Sequence, residues 1–551
     1  MAKKQHKDVV KELKKYVLED DFFANLENII SRGYYPANLP PAFSSKSFAS
    51  FVSNNYLSIM EIIESLDNVN TKFTKYYLAR PRQIRRVLGL LNPINIIILG
   101  SLFAKHQNIL LNLAKSDVSL SSPIVDTSEN VNARAIRQEF DWNIGDEFKI
   151  KNRAGKKVLV YTDISRFYPS IYTHSIPWIL DGKDYAKKHR MDLTLGNLLD
   201  KAFQWGQDGQ TCGLPIGPDI SYVIAELICA RIDKLMQTEF PNIKCLRRVD
   251  DIEFTCDTRD DARKLLAYFH HLLGEFELEV NNSKTEIKDL PQPILSQEIL
   301  KISSAIPDSN ADMKKILCFF DVCFEAYNTN QKGALKYAIK SINNEALSGS
   351  YADLYINFIC NCIVIESGCI ESALIKLSPL IKNGQLSDDA KKIMIESFNN
   401  IIKYHSIQKH TNEVLWALWG LLLLESKVDP KTEDEIIKMG DPFVLLVAID
   451  LSKKELFDTT KIKKYIENII DEDILREENW ILAYEAIRLN ILSKKYRNII
   501  SQDMFFNNLL DNDVSFYEIK SVDEYHDIFE DWLEDNYGCV IDDNIDGLFE
   551  E

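Results

Sequence analysis

The apolar positions change their rhythm near residue 300. Before it, short runs of strand character, such as KKVLVYTDI and RRVDDIEFTC, alternate with segments whose apolar residues recur every three or four positions, such as SYVIAELICARIDKLM. That alternation predicts an α+β domain. Beyond it nearly every segment is helical in period. NEVLWALWGLLLLE, DPFVLLVAIDLSKKE and ENWILAYEAIRLNIL recur at roughly the 40-residue spacing of paired-helix repeats, separated by Pro, Asp, Asn or Gly breaks. The pattern predicts a HEAT-like stack of α-hairpins. The chain divides into an N-terminal helical arm over residues 1–30, a mixed domain over 31–300 and an all-helical region over 301–551. The last of these has an acidic end, with no Lys or Arg after Lys520.

One predicted strand breaks the hydrophobic rule. In CLRRVDDIEF, from Cys245 to Phe254, the adjacent carboxylates Asp250 and Asp251 sit inside an apolar run. Taking a carboxylate out of water costs several kcal/mol, so the pair requires a cation nearby. A second run, KKVLVYTDISRFYPSIY, ends on Asp163 and continues to Phe167 and Tyr168. One carboxylate at a strand end and two at a turn in another ribbon make an oxygen-only site suited to Mg²⁺. Two such ions can activate a 3′-hydroxyl and neutralise the triphosphate of an incoming nucleotide.

Composition narrows the frame. With 551 residues, 46% apolar and 10% aromatic, the chain can bury a large core in two or more domains. The net charge of −17 argues against a protein that coats nucleic acid non-specifically, so any such contact is local. From Lys72 to Lys105 there are seven Lys or Arg side chains and no Asp or Glu, either a positive groove or a solvated basic face. No segment reaches the roughly 20 uninterrupted apolar residues of a membrane span, and MAKKQHKDVVKELKK lacks a signal-peptide core, so a soluble cytoplasmic protein without membrane contact is expected. Ten cysteines lie scattered in apolar segments, and the closest pair, Cys360 and Cys362, reads as helix core with reduced thiols.

The motifs in order resemble a reverse transcriptase. DISRFY from Asp163 resembles the first palm motif, GLPIGPDISYVIAEL from Gly213 the second, RRVDD the third, and LEVNNSKTEI with Lys284 the fourth, while RRVLGLLNP from Arg85 is similar to the fingers strand that binds triphosphate. A match to DD alone has little value; five in order carry weight. The surroundings, GYYPANLPPAF from Gly33, NWILAYEAIRL from Asn479 and FFNNLLDNDVSFYE from Phe505, resemble the abortive-infection (AbiK-type) phage-defence reverse transcriptases.

That resemblance implies a fingers and palm domain over 31–300 and a helical domain replacing the usual thumb. It implies assembly into a homo-oligomer and DNA synthesis from dNTPs without a template, started from a tyrosine, so that the single-stranded DNA product is covalently attached. Asp163, Asp250 and Asp251 then hold two Mg²⁺, with Mn²⁺ a chemical substitute and the Ile164 carbonyl a further oxygen. Lys284 protonates the departing pyrophosphate. The dNTP meets Ser165, Arg166, Phe167, Ile216 and Gly217, Tyr168 excludes a ribose 2′-hydroxyl, and Arg86 takes the triphosphate with Arg82 and Arg85 beside it. Candidate priming tyrosines are Tyr34, Tyr35 and Tyr16; the competing reading of GYYPANLPPAF is a strap whose aromatics pack on the palm.

Two positions depart from the wider pattern. Arg248 stands where most such enzymes carry an aromatic before X-Asp-Asp, and Ile216 stands for the Gln of LPQG. Both leave the carboxylates intact and weaken the expectation of templated copying. Two other classes compete with the defence polymerase: a template-copying enzyme holding a structured non-coding RNA, retron-like, and an inactive nucleic-acid-binding scaffold. The intact carboxylates argue against the last.

Overall fold

The computed structural model describes residues 2–18, 21–81, 84–128, 133–140, 142–308, 311–329 and 331–537. The chain opens with α1 (Ala2–Leu13), α2 (Phe22–Gly33) and α3 (Lys46–Ser65). Leu26, Ile29 and Ile30 form one buried face of α2, which packs on α3 and on the long core helix α4 (Pro93–Ala114). Between α3 and α4 lies a fingers hairpin, β1 (Thr74–Arg80) and β2 (Ile84–Leu90). The short pair β3 (Pro123–Val125) and β4 (Ile136–Gln138) precedes α5 (Trp142–Arg153).

The palm sheet contains β5 (Val158–Asp163), β6 (Lys244–Arg248), β7 (Asp251–Cys256) and β8 (Glu286–Asp289), antiparallel in the order β6-β7-β5-β8. Strand alternation sorts its two faces. Ile252 and Phe254 point to the core, where Phe254 meets Phe269 of the Arg259–Glu275 helix. The opposite face carries Asp163, Tyr161, Asp251 and Glu253, and α5 packs along β6 with its C-terminal end reaching that face. Arg153 of α5 grips Glu253 through two hydrogen bonds of 2.8 Å and donates to the Tyr161 hydroxyl at 2.6 Å. Asn152 donates to the Cys245 carbonyl at 3.1 Å.

After Asp289 the described elements are all helices. The Asp388–Ile407 helix packs on Thr411–Leu423, that on Pro442–Lys453, and that on Trp480–Arg488. Thr411–Leu423 is buried at every position, as the apolar run from Val414 to Leu423 requires, and its first turn also buries Thr411, Asn412 and Glu413. Trp480, Ile481, Leu482 and Tyr484 all point inward. The predicted acidic end is helical over Val522–Tyr537, and residues 538–551 lie outside the described residues.

Two expectations change. Lys72, Lys75 and Arg85 are not part of an open groove: they pair with Glu477, Glu478 and Glu413 of the helical half at 2.6–2.7 Å, because β1 and β2 are where that half docks. The Lys72 amide donates to the Arg476 carbonyl and the Asn92 side chain to the Leu475 carbonyl along the same seam. Secondly, α4 is long and apolar enough to cross a membrane by length and composition, although 72% of that window is buried as the core of this fold. The nine described cysteines are unpaired thiols, with Cys360 and Cys362 buried in one helix.

Candidate active site

The β6–β7 turn presents the Asp pair, and its backbone is strained. Val249 has φ 50°, a left-handed conformation that a β-branched residue adopts at a cost of about 1–3 kcal/mol. A buried network holds it there. Its amide donates to Ser121 Oγ at 2.7 Å, and its carbonyl accepts from Arg247 Nη1 at 3.0 Å. Arg247 is fixed in turn by Glu226 at 3.0 Å and Asp233 at 2.8 Å, and Ser121 donates to Glu226 at 2.9 Å.

Register does the rest. Asp163 ends β5 directly opposite Asp251, and the Ile164 amide donates to the Asp250 carbonyl at 3.2 Å. Asp163 accepts from Asn281 Nδ2 at 2.9 Å and from Lys284 Nζ at 2.5 Å; the same ammonium lies 3.5 Å from Asp251. Burial pushes the Asp250 carboxyl above its usual range and the charge of Asp163 adds to that, while Lys284 and Arg86 oppose it. For Lys284, burial works to lower the pKa, but the bond to Asp163 and the charge of Asp251 outweigh it, so the net shift is upward and the ammonium persists. An oxygen-only donor set under mutual repulsion, with an ammonium drawn between two of its members, fits hard divalent cations held by Asp163, Asp250 and Asp251.

The fingers arginines separate by strand alternation. Arg86 acts on both Tyr168 and Asp250 and so joins the site. Arg85 points the other way, to Glu413, and is removed from the triphosphate set. Arg82 lies outside the described residues.

The remaining positions form a scaffold around Tyr168. Ser165 donates its amide to the Glu279 carbonyl at 2.8 Å, Arg166 is exposed with φ 46°, and Phe167 is buried. Tyr168 is half-buried, its carbonyl accepts from the Leu214 amide at 2.9 Å, and burial holds its phenol well above the usual pKa. The Ile216 carbonyl accepts from the Gly89 amide at 2.7 Å, which ties the second motif to the fingers. Gly217 has φ 136°, and a Cβ there would meet Pro36 at 3.0 Å and the Gly89 oxygen at 3.1 Å, so a larger residue is strained there. Its carbonyl accepts from Arg134, which also clamps Asp219 and the Tyr35 carbonyl.

All three candidate priming tyrosines are buried. Tyr34 donates to the Leu91 carbonyl at 2.5 Å and Tyr35 to the Phe516 carbonyl at 2.8 Å, while Tyr16 packs edge-on against Phe22 and His106. The GYYPANLPPAF segment is an ordered strap locked to the C-terminal segment, with the Glu518 amide on the Ala42 carbonyl.

At the catalytic end of the sheet a cleft of about 600 Å³ is lined by Asp163, Asp251, Lys284, Lys149 of α5, Arg80 of the fingers and Lys332 of the helical half. Arg248 also lines it. Sequence reasoning missed Asn281, although it stands three places before Lys284 in a quoted motif. It also missed Ser121, Arg134 and the covering role of α5, none of which carries a local signal.

Residues 105–299 match the family model described as reverse transcriptase (RNA-dependent DNA polymerase). No curated protein matches the chain. Among solved structures it is similar to telomerase from Candida albicans in complex with a fragment of telomeric RNA: 12% identity, 63% of this chain, 66% of that one and a TM-score of 0.26. It is also similar to apo telomerase from Candida tropicalis, at 11% identity, 74% and 68% coverage and a TM-score of 0.28. The chain thus spans about two thirds of the length of each. Reverse transcriptase domains use divalent metal ions. Residues 105–299 of this chain are a reverse transcriptase domain.

Proposed function

We propose that the protein is an antiviral, AbiK-type DNA polymerase that extends a single strand from dNTPs without copying a template. The observation that carries this reading is a cleft of about 600 Å³ over the polar face of the palm sheet, bounded on one side by α5, whose Arg153 holds Glu253 and Tyr161. That volume suits a nucleotide and the end of a primer strand. A growing duplex needs the side that α5 bounds; a single strand does not.

In this mechanism Asp163, Asp250 and Asp251 would hold the two divalent ions, which when bound would supply acidity at the attacking hydroxyl and charge neutralisation at the triphosphate. Arg86 draws the triphosphate towards the palm, and the Tyr168 ring leaves no room for a 2′-hydroxyl. The attacking oxygen bonds to the α-phosphorus as the bond to the β-phosphate bridging oxygen breaks. Lys284 supplies a proton to the leaving pyrophosphate. A phenolic primer requires a tyrosine to reach the carboxylates, and Tyr34 or Tyr35 does so only if the strap releases its carbonyl contacts.

Incubating the nuclease-treated full chain with labelled dNTPs and Mg²⁺, without nucleic acid, and running a denaturing protein gel tests the reading. Label incorporated into DNA, free or comigrating with protein, is expected. Incorporation that appears only on adding a template strand, or RNA that copurifies and is copied, would replace it with the retron-like reading.

A further inference from the structure

A second cluster of ligating side chains lies away from the palm, where the helical half meets the fingers. It is built by a helix-to-helix turn: His405 is in the last turn of Asp388–Ile407, His410 caps Thr411–Leu423, and Glu413 sits in that helix's first turn. Lys409 turns the chain with φ 57°, and the His410 amide returns to the His405 carbonyl at 3.1 Å. The turn thereby brings His405 to His410 and Glu413, which already share one face of the next helix.

The spacing of their ligating atoms is that of a small coordination sphere. His405 Nδ1 and His410 Nδ1 are 2.8 Å apart, and they lie 3.7 and 3.8 Å from Glu413 Oε1. Ligand atoms on a tetrahedral ion with bonds of about 2.0–2.1 Å are separated by roughly 3.3 Å. The ring orientation agrees. His405 Nε2 is 2.8 Å from Ser367 Oγ, where an outer hydrogen bond holds a ligating histidine; with Nε2 as the donor, Nδ1 offers its lone pair to the cluster.

Glu413 adds the second observation. Its side chain is 3% exposed; Oε1 accepts from Arg85 at 2.6 Å, but Oε2 is buried with no hydrogen-bond partner. Glu413 thus turns its Arg85-bonded Oε1 towards the imidazoles and keeps a second buried oxygen unpaired, so the carboxylate is only partly satisfied. The Arg85 charge offsets the carboxylate without satisfying Oε2. Beside the cluster a cavity of about 630 Å³, lined by His405, Glu413, Tyr404, Asn400 and Arg80, leaves room for an exchangeable fourth ligand.

We propose that His405, His410 and Glu413 bind a zinc-class divalent cation, which fastens the helical half to the β2 strand of the fingers through the Glu413–Arg85 pair. The nitrogen-rich donor set selects against Mg²⁺ and so separates this site from the palm carboxylates.

Full-length protein stripped by chelation and titrated with Co²⁺ tests this, because cobalt in a tetrahedral nitrogen and oxygen site absorbs visible light far more strongly than cobalt held octahedrally by oxygens. Wild type is expected to gain the intense tetrahedral bands, and Asp250→Asn to keep them. His410→Ala, at a half-buried position, and Glu413→Gln, which preserves shape, should lose them and bind Zn²⁺ more weakly by over the ~10–100-fold that losing an outer-shell partner costs. Zn²⁺ should raise the melting temperature of wild type but not of His410→Ala. Weak octahedral absorption in wild type, or unchanged bands and affinity in both cluster variants, would overturn the proposal.

Discussion

Asp250 is a half-buried carboxylate beside another carboxylate, and its raised pKa has a sign that can be measured. A carboxyl that binds its proton more tightly folded than unfolded adds stability below the unfolded value and loses it as pH rises through the folded one. Near neutral pH its charge therefore destabilises the metal-free protein. Asp250→Asn should raise the melting temperature at pH 7 without Mg²⁺ while lowering incorporation by at least ~10²–10³, the effect of one lost electrostatic contact in a transition state. A variant that melts lower and keeps its activity would remove Asp250 from the metal set. The acid limb of the rate profile should likewise lie above the ordinary Asp range and move to lower pH as Mg²⁺ is raised. Tyr168→Val should admit ribonucleotides in a competition assay, and unchanged discrimination would return Tyr168 to a packing role. These residues were readable because Asp163, Asp250 and Lys284 each sit in a short motif; the direction of a side chain was not, which is why Arg85 was grouped with Arg86.

The β6–β7 turn shows what a motif leaves out. RRVDD names the carboxylates, yet Val249 holds its conformation through Ser121, 128 residues away in sequence. Ser121→Ala removes an acceptor from a buried amide, a change of roughly 1–3 kcal/mol. It should lower kcat with little change in KM for dNTP, because the carboxylates move while Arg86 stays. An effect on KM alone would contradict a positioning role. The strands were legible from period-two alternation around the carboxylates, and the inner helices from their unbroken apolar runs. The place of α5 was not, since Arg153–Glu253 pairing is a property of the folded sheet.

The two halves are one packed body. The strap reaches Phe516 through Tyr35, Trp416 Nε1 donates to the Asn38 carbonyl at 3.2 Å, and β1 is pinned along residues 475–478. Deleting everything after Ala311 should therefore give insoluble or inactive protein, as apolar surface on the palm side is uncovered. Trp480→Ala, at a fully buried ring, should destabilise by ~3–5 kcal/mol without altering Mg²⁺ affinity at the palm. A soluble, active fragment would make the helical half an appendage. The change of rhythm near residue 300 announced two halves, but nothing in it said that basic residues of one would pair with acids of the other. Such pairing joins positions hundreds of residues apart, and only the packed helices bring them together.

If α5 bars a duplex from the palm, the sequence of the product is the most direct measurement. Purified full-length protein given dNTPs, Mg²⁺ and a primed RNA or DNA of known sequence should make DNA unrelated to that strand, at a rate little changed by leaving it out. Product complementary to the added strand would contradict template-free synthesis.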